Sequence, residues 1–173
     1  MKKSLSNSCA VAVMARAAAA VALLLGASTA AFAQARTLEG AWIVVTQQRN
    51  CTTNAPIGQP HRALVTYHAG GTLSDSSAVP GFAIGQRSEG HGIWRHDGGQ
   101  SYAVRWVAMI QFDTPAGTPP GSPGFLAGWQ VATNAIELSG PDSFTSTGVS
   151  EFLDLNGQVY RVACASRTAE RLK

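Results

Sequence analysis

The feature that most constrains the fold is a series of eight strand-like segments with no convincing helix between them. Each segment is a run rich in β-branched and aromatic residues with turn residues on both sides, which is typical of β-strands. The predicted strands cover approximately residues 41–49, 61–68, 71–77, 91–96, 101–112, 126–139, 144–154 and 158–167. Eight consecutive strands predict an all-β fold, an antiparallel up-and-down meander that closes into a β-barrel.

The connections between these strands alternate between long and tight. The tight ones, at 69–71, 97–100 and 139–143, are rich in Gly, Asp and Ser, which favour turns. The long ones cover about 50–60 and 78–90, and then 113–125. In an up-and-down meander, the odd connections lie at one end of the barrel and the even ones at the other. We therefore expect the long loops to surround an open mouth, and the tight turns to close the opposite end.

The first part of the chain has the pattern of an export leader. Lys2 and Lys3 precede an Ala-rich segment, and Ala17–Leu25 is an unbroken apolar run too short to span a bilayer. The segment ends in Ala31-Phe32-Ala33, with small residues at the two positions that signal peptidase reads. We expect cleavage before Gln34.

This leader predicts the domain organisation and the compartment. Residues 1–33 are expected to be a signal peptide, and residues 34–173 a single β-barrel domain that is periplasmic or secreted. Met14 is an alternative start, because a leader beginning there would have Arg16 as its basic residue. No second apolar run of membrane length follows, so we expect no membrane span.

Loss of the leader also changes the charge of the protein. Lys2, Lys3 and Arg16 leave with it, so that ten basic residues remain against ten acidic ones. The basic isoelectric point therefore comes from the leader. A neutral mature chain gives no reason to expect a nucleic-acid partner.

Two cysteines, Cys51 and Cys164, remain in the mature chain, since Cys9 lies in the leader. In an oxidising compartment the natural expectation is one disulfide between them. Two separately buried thiols are the alternative that the sequence leaves open.

The opening of the first strand carries a resemblance to a known group of proteins. Gly40-Ala41-Trp42 resembles the first-strand signature of the calycin superfamily, the lipocalin-like barrels. The resemblance implies that Trp42 plugs the closed end of the barrel, where a basic side chain from near the end of the last strand covers it. The candidates for that side chain are Arg161, Arg167 and Arg171, of which we favour Arg171.

A possible register between the first and last strands follows from the cysteines. If Cys51 and Cys164 lay directly opposite each other, Arg171 would pair with Val44, one side-chain step from Trp42 on the same face. This register conflicts with the expected alternation of inward-facing and outward-facing residues along the last strand. A bulge or a diagonal disulfide is the alternative.

Side-chain alternation indicates which residues face the barrel interior. It is clearest in the fifth predicted strand, where Tyr102, Val104 and Trp106 share one face. The residues that we expect to line a ligand site are Tyr67, Trp94, His96, Tyr102, Trp106 and Trp129. An aromatic interior suits a small, mostly apolar molecule, whereas a barrel filled by its own side chains is the alternative.

The sequence offers no metal, cofactor or catalytic motif. Two metal ligands on one strand face the same side only if they are an even number of residues apart. His61 and His68 are seven apart, and His91 and His96 are five apart. Gly-x-Ser-x-Gly, phosphate-loop and dinucleotide-binding patterns are absent from the sequence. We therefore predict no metal, no cofactor and no catalytic residue.

Three functions are compatible with these observations. The first is binding of a small apolar molecule inside an exported barrel, with the loop Thr114–Gly124 as a candidate lid. The second is binding of a protein partner, since the chain resembles periplasmic protease inhibitors of the lipocalin-like type in size, leader, opening motif and single disulfide. The third is a cyclase or isomerase, for which His96, Arg105 and Glu151 are the first candidates, although the last two alternate outward.

Overall fold

β-Strands form the framework of the chain. The computed structural model describes residues 37–79, 82–113 and 125–173. Its strands are β1 (Gly40–Arg49), β2 (Pro56–His68), β3 (Thr72–Ser77), β4 (Arg87–Gly98), β5 (Ser101–Ile110), β6 (Phe112–Asp113), β7 (Phe125–Gly140), β8 (Ser143–Asp154) and β9 (Val159–Arg171). No helix in this described part is long and apolar enough to cross a membrane. The expected signal peptide, residues 1–33, lies outside the described residues.

The strands form one closed antiparallel barrel. Each strand pairs with the next one in sequence, except that β5 and β6 both pair with β7, and β1 pairs with β9. β6 continues the line of β5 after a bend at Gln111, so the ring has eight positions. This confirms the predicted all-β, eight-stranded, up-and-down barrel.

Alternation of buried and exposed residues explains why these segments form barrel strands. In β5, Tyr102, Val104 and Trp106 are buried, whereas Arg105 and Met109 between and beyond them are exposed. A period of two places one set inside the barrel and the other in solvent. The buried apolar residues of several strands meet in one cluster near the closed end.

Two of the strands that border the mouth begin earlier than predicted. β2 starts at Pro56 and β4 at Arg87, so the connections before them are reduced to 50–55 and 78–86. Polar, glycine-containing segments join the sheet here because neighbouring strands offer hydrogen-bonding partners. The side-chain amide of Gln47 adds to this by donating to the Ile57 carbonyl at 2.9 Å.

The closed end is built around Trp42, which is 0% exposed. Its Nε1 donates to the Leu38 carbonyl at 2.9 Å, and its ring lies 4.9 Å from that of Phe144. The Arg171 guanidinium lies 4.2 Å from the Trp42 ring centre on the other side. Arg171 also forms an ion pair with Asp142 at 3.2 Å, which holds the cation in place over the indole.

Gly40, two positions before Trp42, has a conformation that favours glycine. Its φ of +122° is one that other residues rarely adopt. A Cβ atom at this position would lie 2.6 Å from Nη1 of Arg171. The backbone conformation therefore favours glycine at position 40, and the absence of a side chain there leaves room for the Arg171 guanidinium.

Of the arrangements considered for the first and last strands, the structure has the diagonal disulfide, and the direct register of Cys51 opposite Cys164 is wrong. Trp42, and not Val44, pairs with Arg171, and Arg49 pairs with Cys164. Cys51 lies in the loop beyond β1 and reaches Cys164 diagonally, with the Cα atoms 5.2 Å apart. The predicted disulfide is confirmed, and its diagonal placement accounts for the register error of two residues. The bond indicates an oxidising environment.

Candidate functional site

A cavity of about 250 Å³ occupies the barrel interior. It extends from Val44 and Phe144, directly above the Trp42 floor, to Ile57 and Phe82 near the mouth. Side chains of every strand except β4 and β6 contribute to its lining, with Trp106 as a large aromatic wall. The barrel is therefore hollow above its packed floor.

Small residues on three adjacent strands keep this space open. Ala132 on β7 pairs with Ser150 on β8, which pairs with Ala163 on β9. One row closer to the floor, Gly148 pairs with Ala165. A Cβ atom on Gly148 would clash with the side chain of Asn134, so no larger residue fits there without rearrangement. The hollow thus follows from Ser150, Ala163 and Ala165, which line it, whereas the space beside Gly148 is occupied by the Asn134 side chain.

A buried ion pair stands on the opposite side of the cavity. Nη2 of Arg87 lies 2.8 Å from Oδ1 of Asp75, and their side chains are only 5% and 6% exposed. Arg87 also donates from Nε to the Gln130 side chain at 2.7 Å, and Ser77 donates to Asp75 at 2.7 Å. Because every charge here has close polar partners, the desolvation cost of the pair is offset.

A second charged cluster links β6 to β9 near the mouth. Nη2 of Arg161 lies 2.6 Å from Oδ2 of Asp113, and the Tyr160 hydroxyl donates to the same oxygen at 2.9 Å. The Arg161 guanidinium also lies 3.9 Å from the ring centre of Phe152. Burial, followed by the hydrogen bond to Asp113, raises the pKa of Tyr160. The cluster anchors the end of β6 beside the cavity.

Arg167 differs from these two arginines. It lies on β9, lines the cavity, and donates from Nη1 to the side-chain oxygen of Asn134. Among the described residues, no carboxylate forms an ion pair with it. Burial lowers the pKa of Arg167, although an arginine remains charged at neutral pH. Arg167 is therefore a cation inside the barrel with a neutral partner.

His61 and Ser146 lie near Arg167. Thr46 on β1 pairs with His61 on one side and with Arg167 on the other, and Arg167 pairs in turn with Ser146. Burial, with Arg167 as the second cause, lowers the pKa of His61 from its ordinary value of 6.5. The imidazole is therefore neutral at pH 7. The buried Ser146 hydroxyl has no hydrogen-bonding partner within the described residues.

The structure divides the predicted lining residues into groups. Tyr67 and Trp106 line the cavity. Trp94 and Tyr102 lie below it at the closed end, with ring centres 5.8 Å apart. His96 is exposed there and lies 4.9 Å from Tyr102. These last three therefore support the cavity from below and do not border it.

The interior position predicted for Trp129 is wrong. Trp129 is 45% exposed and pairs with Met109 on the outer face, while its neighbour Gln130 is buried. The register of β7 against β8 shifts between Ala127 and Trp129, which changes the side-chain phase. Downstream of this shift, the inner face of β7 is partly polar. Gln130 accepts a hydrogen bond from Arg87 there, and Asn134 accepts one from Arg167.

The residues considered for an enzyme do not share a site. His96 is at the closed end, and Arg105 and Glu151 are exposed on the outer face. In the described ranges, no group of three or more His, Cys, Asp or Glu side chains could hold a metal ion. The candidate lid, Thr114–Gly124, lies outside the described residues.

The sequence analysis did not place His61, Gln130, Asn134 and Arg167 in the cavity, because polar side chains are normally taken to face solvent. The sequence did carry a signal for two of these residues. In an alternating strand, His61 falls on the same face as Ala63 and Val65 of β2, and Arg167 falls on the same face as Ala169 of β9. Neither strand shows a break in alternation between these residues.

Comparison with the models of known protein families and with curated proteins finds no match to this chain.

Proposed function

We propose that this protein is an exported β-barrel that binds one small molecule in its interior. The observation that carries the proposal is the cavity of about 250 Å³ between small side chains, above a fully packed floor. A packed barrel would have larger residues at Ala163 and Ala165, both of which line the cavity. Ligand pockets commonly measure about 300–1,000 Å³. The ligand is accordingly smaller than most drug-like molecules.

The lining indicates the character of this ligand. Trp106, Phe144 and Phe152 offer apolar contacts, whereas His61 and Arg167 offer polar ones. Such a mixture favours an amphipathic molecule over the mostly apolar one expected from the sequence. The apolar part would contact the aromatic rings, and its polar part the strands β2 and β9.

Two further observations support the export of a lipocalin-like protein. The disulfide between Cys51 and Cys164 fits a periplasmic or secreted protein, in agreement with the leader pattern of residues 1–33. The placement of Arg171 over Trp42 also fits the closed end that the resemblance to calycins implies.

Binding of a protein partner is a second candidate. Met109 and Trp129 form an apolar pair on the outer wall, 52% and 45% exposed, and Val162 is exposed on β9 of the same wall. Exposed apolar patches are frequent at protein interfaces. This function would not depend on the cavity.

A cavity-filling substitution tests the proposed function. Ala165→Phe places a ring in the cavity, whereas Ala135→Phe places the same ring on the outer face of β7. We expect the neutral probe 1-aminonaphthalene to bind the wild type and Ala135→Phe alike, but Ala165→Phe at least about tenfold more weakly. Calorimetric titration measures the affinities. Equal affinity for all three proteins, or no binding to the wild type, would overturn the proposal.

A further inference from the structure

The cavity contains one cation whose charge the described residues do not balance. The carboxylate of Asp75 pairs with Arg87, and that of Asp113 with Arg161. Arg167 has only the neutral side chain of Asn134 as its hydrogen-bonding partner within the described residues. The interior therefore carries an unbalanced positive charge at Arg167 on β9.

Such an arrangement is costly for the fold alone. Removing a guanidinium from water is unfavourable unless an anion and several hydrogen bonds replace the lost solvation. One hydrogen bond to an amide replaces only a small part of it. Arg161 and Arg171 lie on the same face of β9 and each has a carboxylate partner, whereas Arg167 has none among the described residues. A role in binding accounts for the presence of the charge.

The groups around Arg167 are suited to a bound anion. The partnerless hydroxyl of Ser146 lies on the adjacent strand in direct register with Arg167. On the other side, across Thr46, the neutral His61 can donate one hydrogen bond. On the mouth side of Arg167, the small residues Ala163 and Ala165 line the cavity and leave room for a ligand group.

We propose that Arg167 binds a carboxylate group of the ligand, with the Ser146 hydroxyl as a second donor. The planar guanidinium can offer two parallel N–H groups to the two oxygens of a carboxylate. A single unbalanced cation matches one negative charge. A doubly charged phosphate would leave one of its two charges unbalanced in this cavity. This inference rests on the proposed function and specifies its ligand as a small amphipathic acid.

A matched pair of probes tests the inference. 2-Naphthoate and 2-naphthamide have the same ring system and nearly the same size, but only the first has a charge. We expect the wild type to bind the acid about 10- to 100-fold more tightly, the usual effect of one charged hydrogen-bonded pair. Calorimetric titration of the mature protein gives both affinities, and no variant is needed for this comparison.

Substitutions then identify the cation. Arg167→Met should remove the preference for the acid and retain binding of the amide, whereas Arg105→Met, an exposed arginine on β5, should leave both affinities unchanged. Arg167→Met should also melt at the same temperature as the wild type or higher, because it removes a charge that is partly withdrawn from water. A large fall in melting temperature would instead identify Arg167 as a structural residue and overturn the inference.

The possible results separate the inference from the proposed function. Equal binding of acid and amide by the wild type would overturn the carboxylate site and leave interior binding intact. Binding of neither probe would overturn both. Displacement of 2-naphthoate by inorganic phosphate at comparable concentration would show a general anion site and overturn the assignment to a carboxylate.

Discussion

Replacing Trp42 with alanine is expected to lower the free energy of unfolding by about 3–5 kcal/mol, the usual cost of removing a buried large aromatic side chain. The Trp42 side chain is 0% exposed and joins Leu38, Phe144 and Arg171 into the closed end of the barrel. Its loss leaves a cavity at the floor and an arginine without its aromatic partner. Urea denaturation followed by circular dichroism measures the change.

Trp129→Ala is the matched control for this substitution. Trp129 is 45% exposed on the outer face, and exposed positions usually change stability by only about 0.5 kcal/mol. A similar loss for the two tryptophan variants would contradict the assignment of Trp42 as the floor of the barrel.

Removal of the disulfide is expected to have an effect of similar size. Cys51 and Cys164 are 113 residues apart in sequence, and closing a loop of that length stabilises the folded state by about 4–5 kcal/mol in the chain-entropy model. The double variant Cys51→Ser/Cys164→Ser should therefore melt well below the wild type. Differential scanning calorimetry measures the shift.

A reducing agent provides the control for the disulfide. It should lower the melting temperature of the wild type to near that of the double variant, and should not affect the double variant. A wild type that melts at the same temperature with and without reductant would show that the bond contributes nothing to stability.

The framework of the barrel is predictable from the sequence because it depends on local patterns. Alternation in β5 places Tyr102 and Trp106 inside, and turn-forming residues such as Gly70 and Gly98 mark the tight connections. Both signals act over a few residues, so a single sequence is enough to read them.

The register and the polar interior are less predictable because they depend on contacts between distant strands. The register shift of β7 near Trp129 exists only in its pairing with β8, and its one local signal is Gly128, where a Cβ atom would lie 2.6 Å from the Asp154 carbonyl oxygen. Likewise, Gln130 and Asn134 are buried because Arg87 and Arg167 reach them from β4 and β9. The apolar character of Trp129 had led to the opposite orientation for β7, with Trp129 facing the interior.

The polar interior also changes the interpretation of the cavity. Buried charges that are paired, as in Arg87 and Asp75, hold the walls of the barrel in one arrangement. The unbalanced Arg167 is available to a ligand. The barrel thus combines a rigid frame with one charged residue, Arg167, that can discriminate between ligands.

The central claim is that the hollow interior carries a small molecule. Native mass spectrometry of the protein, expressed from the full sequence with residues 1–33 in place, tests it most directly when its mass is compared with that of the denatured chain. We predict an additional small mass that is present only in the native spectrum and is lost in Ala165→Phe. A native mass equal to that of the bare chain, or an adduct that persists in the cavity-filled variant, would contradict the claim.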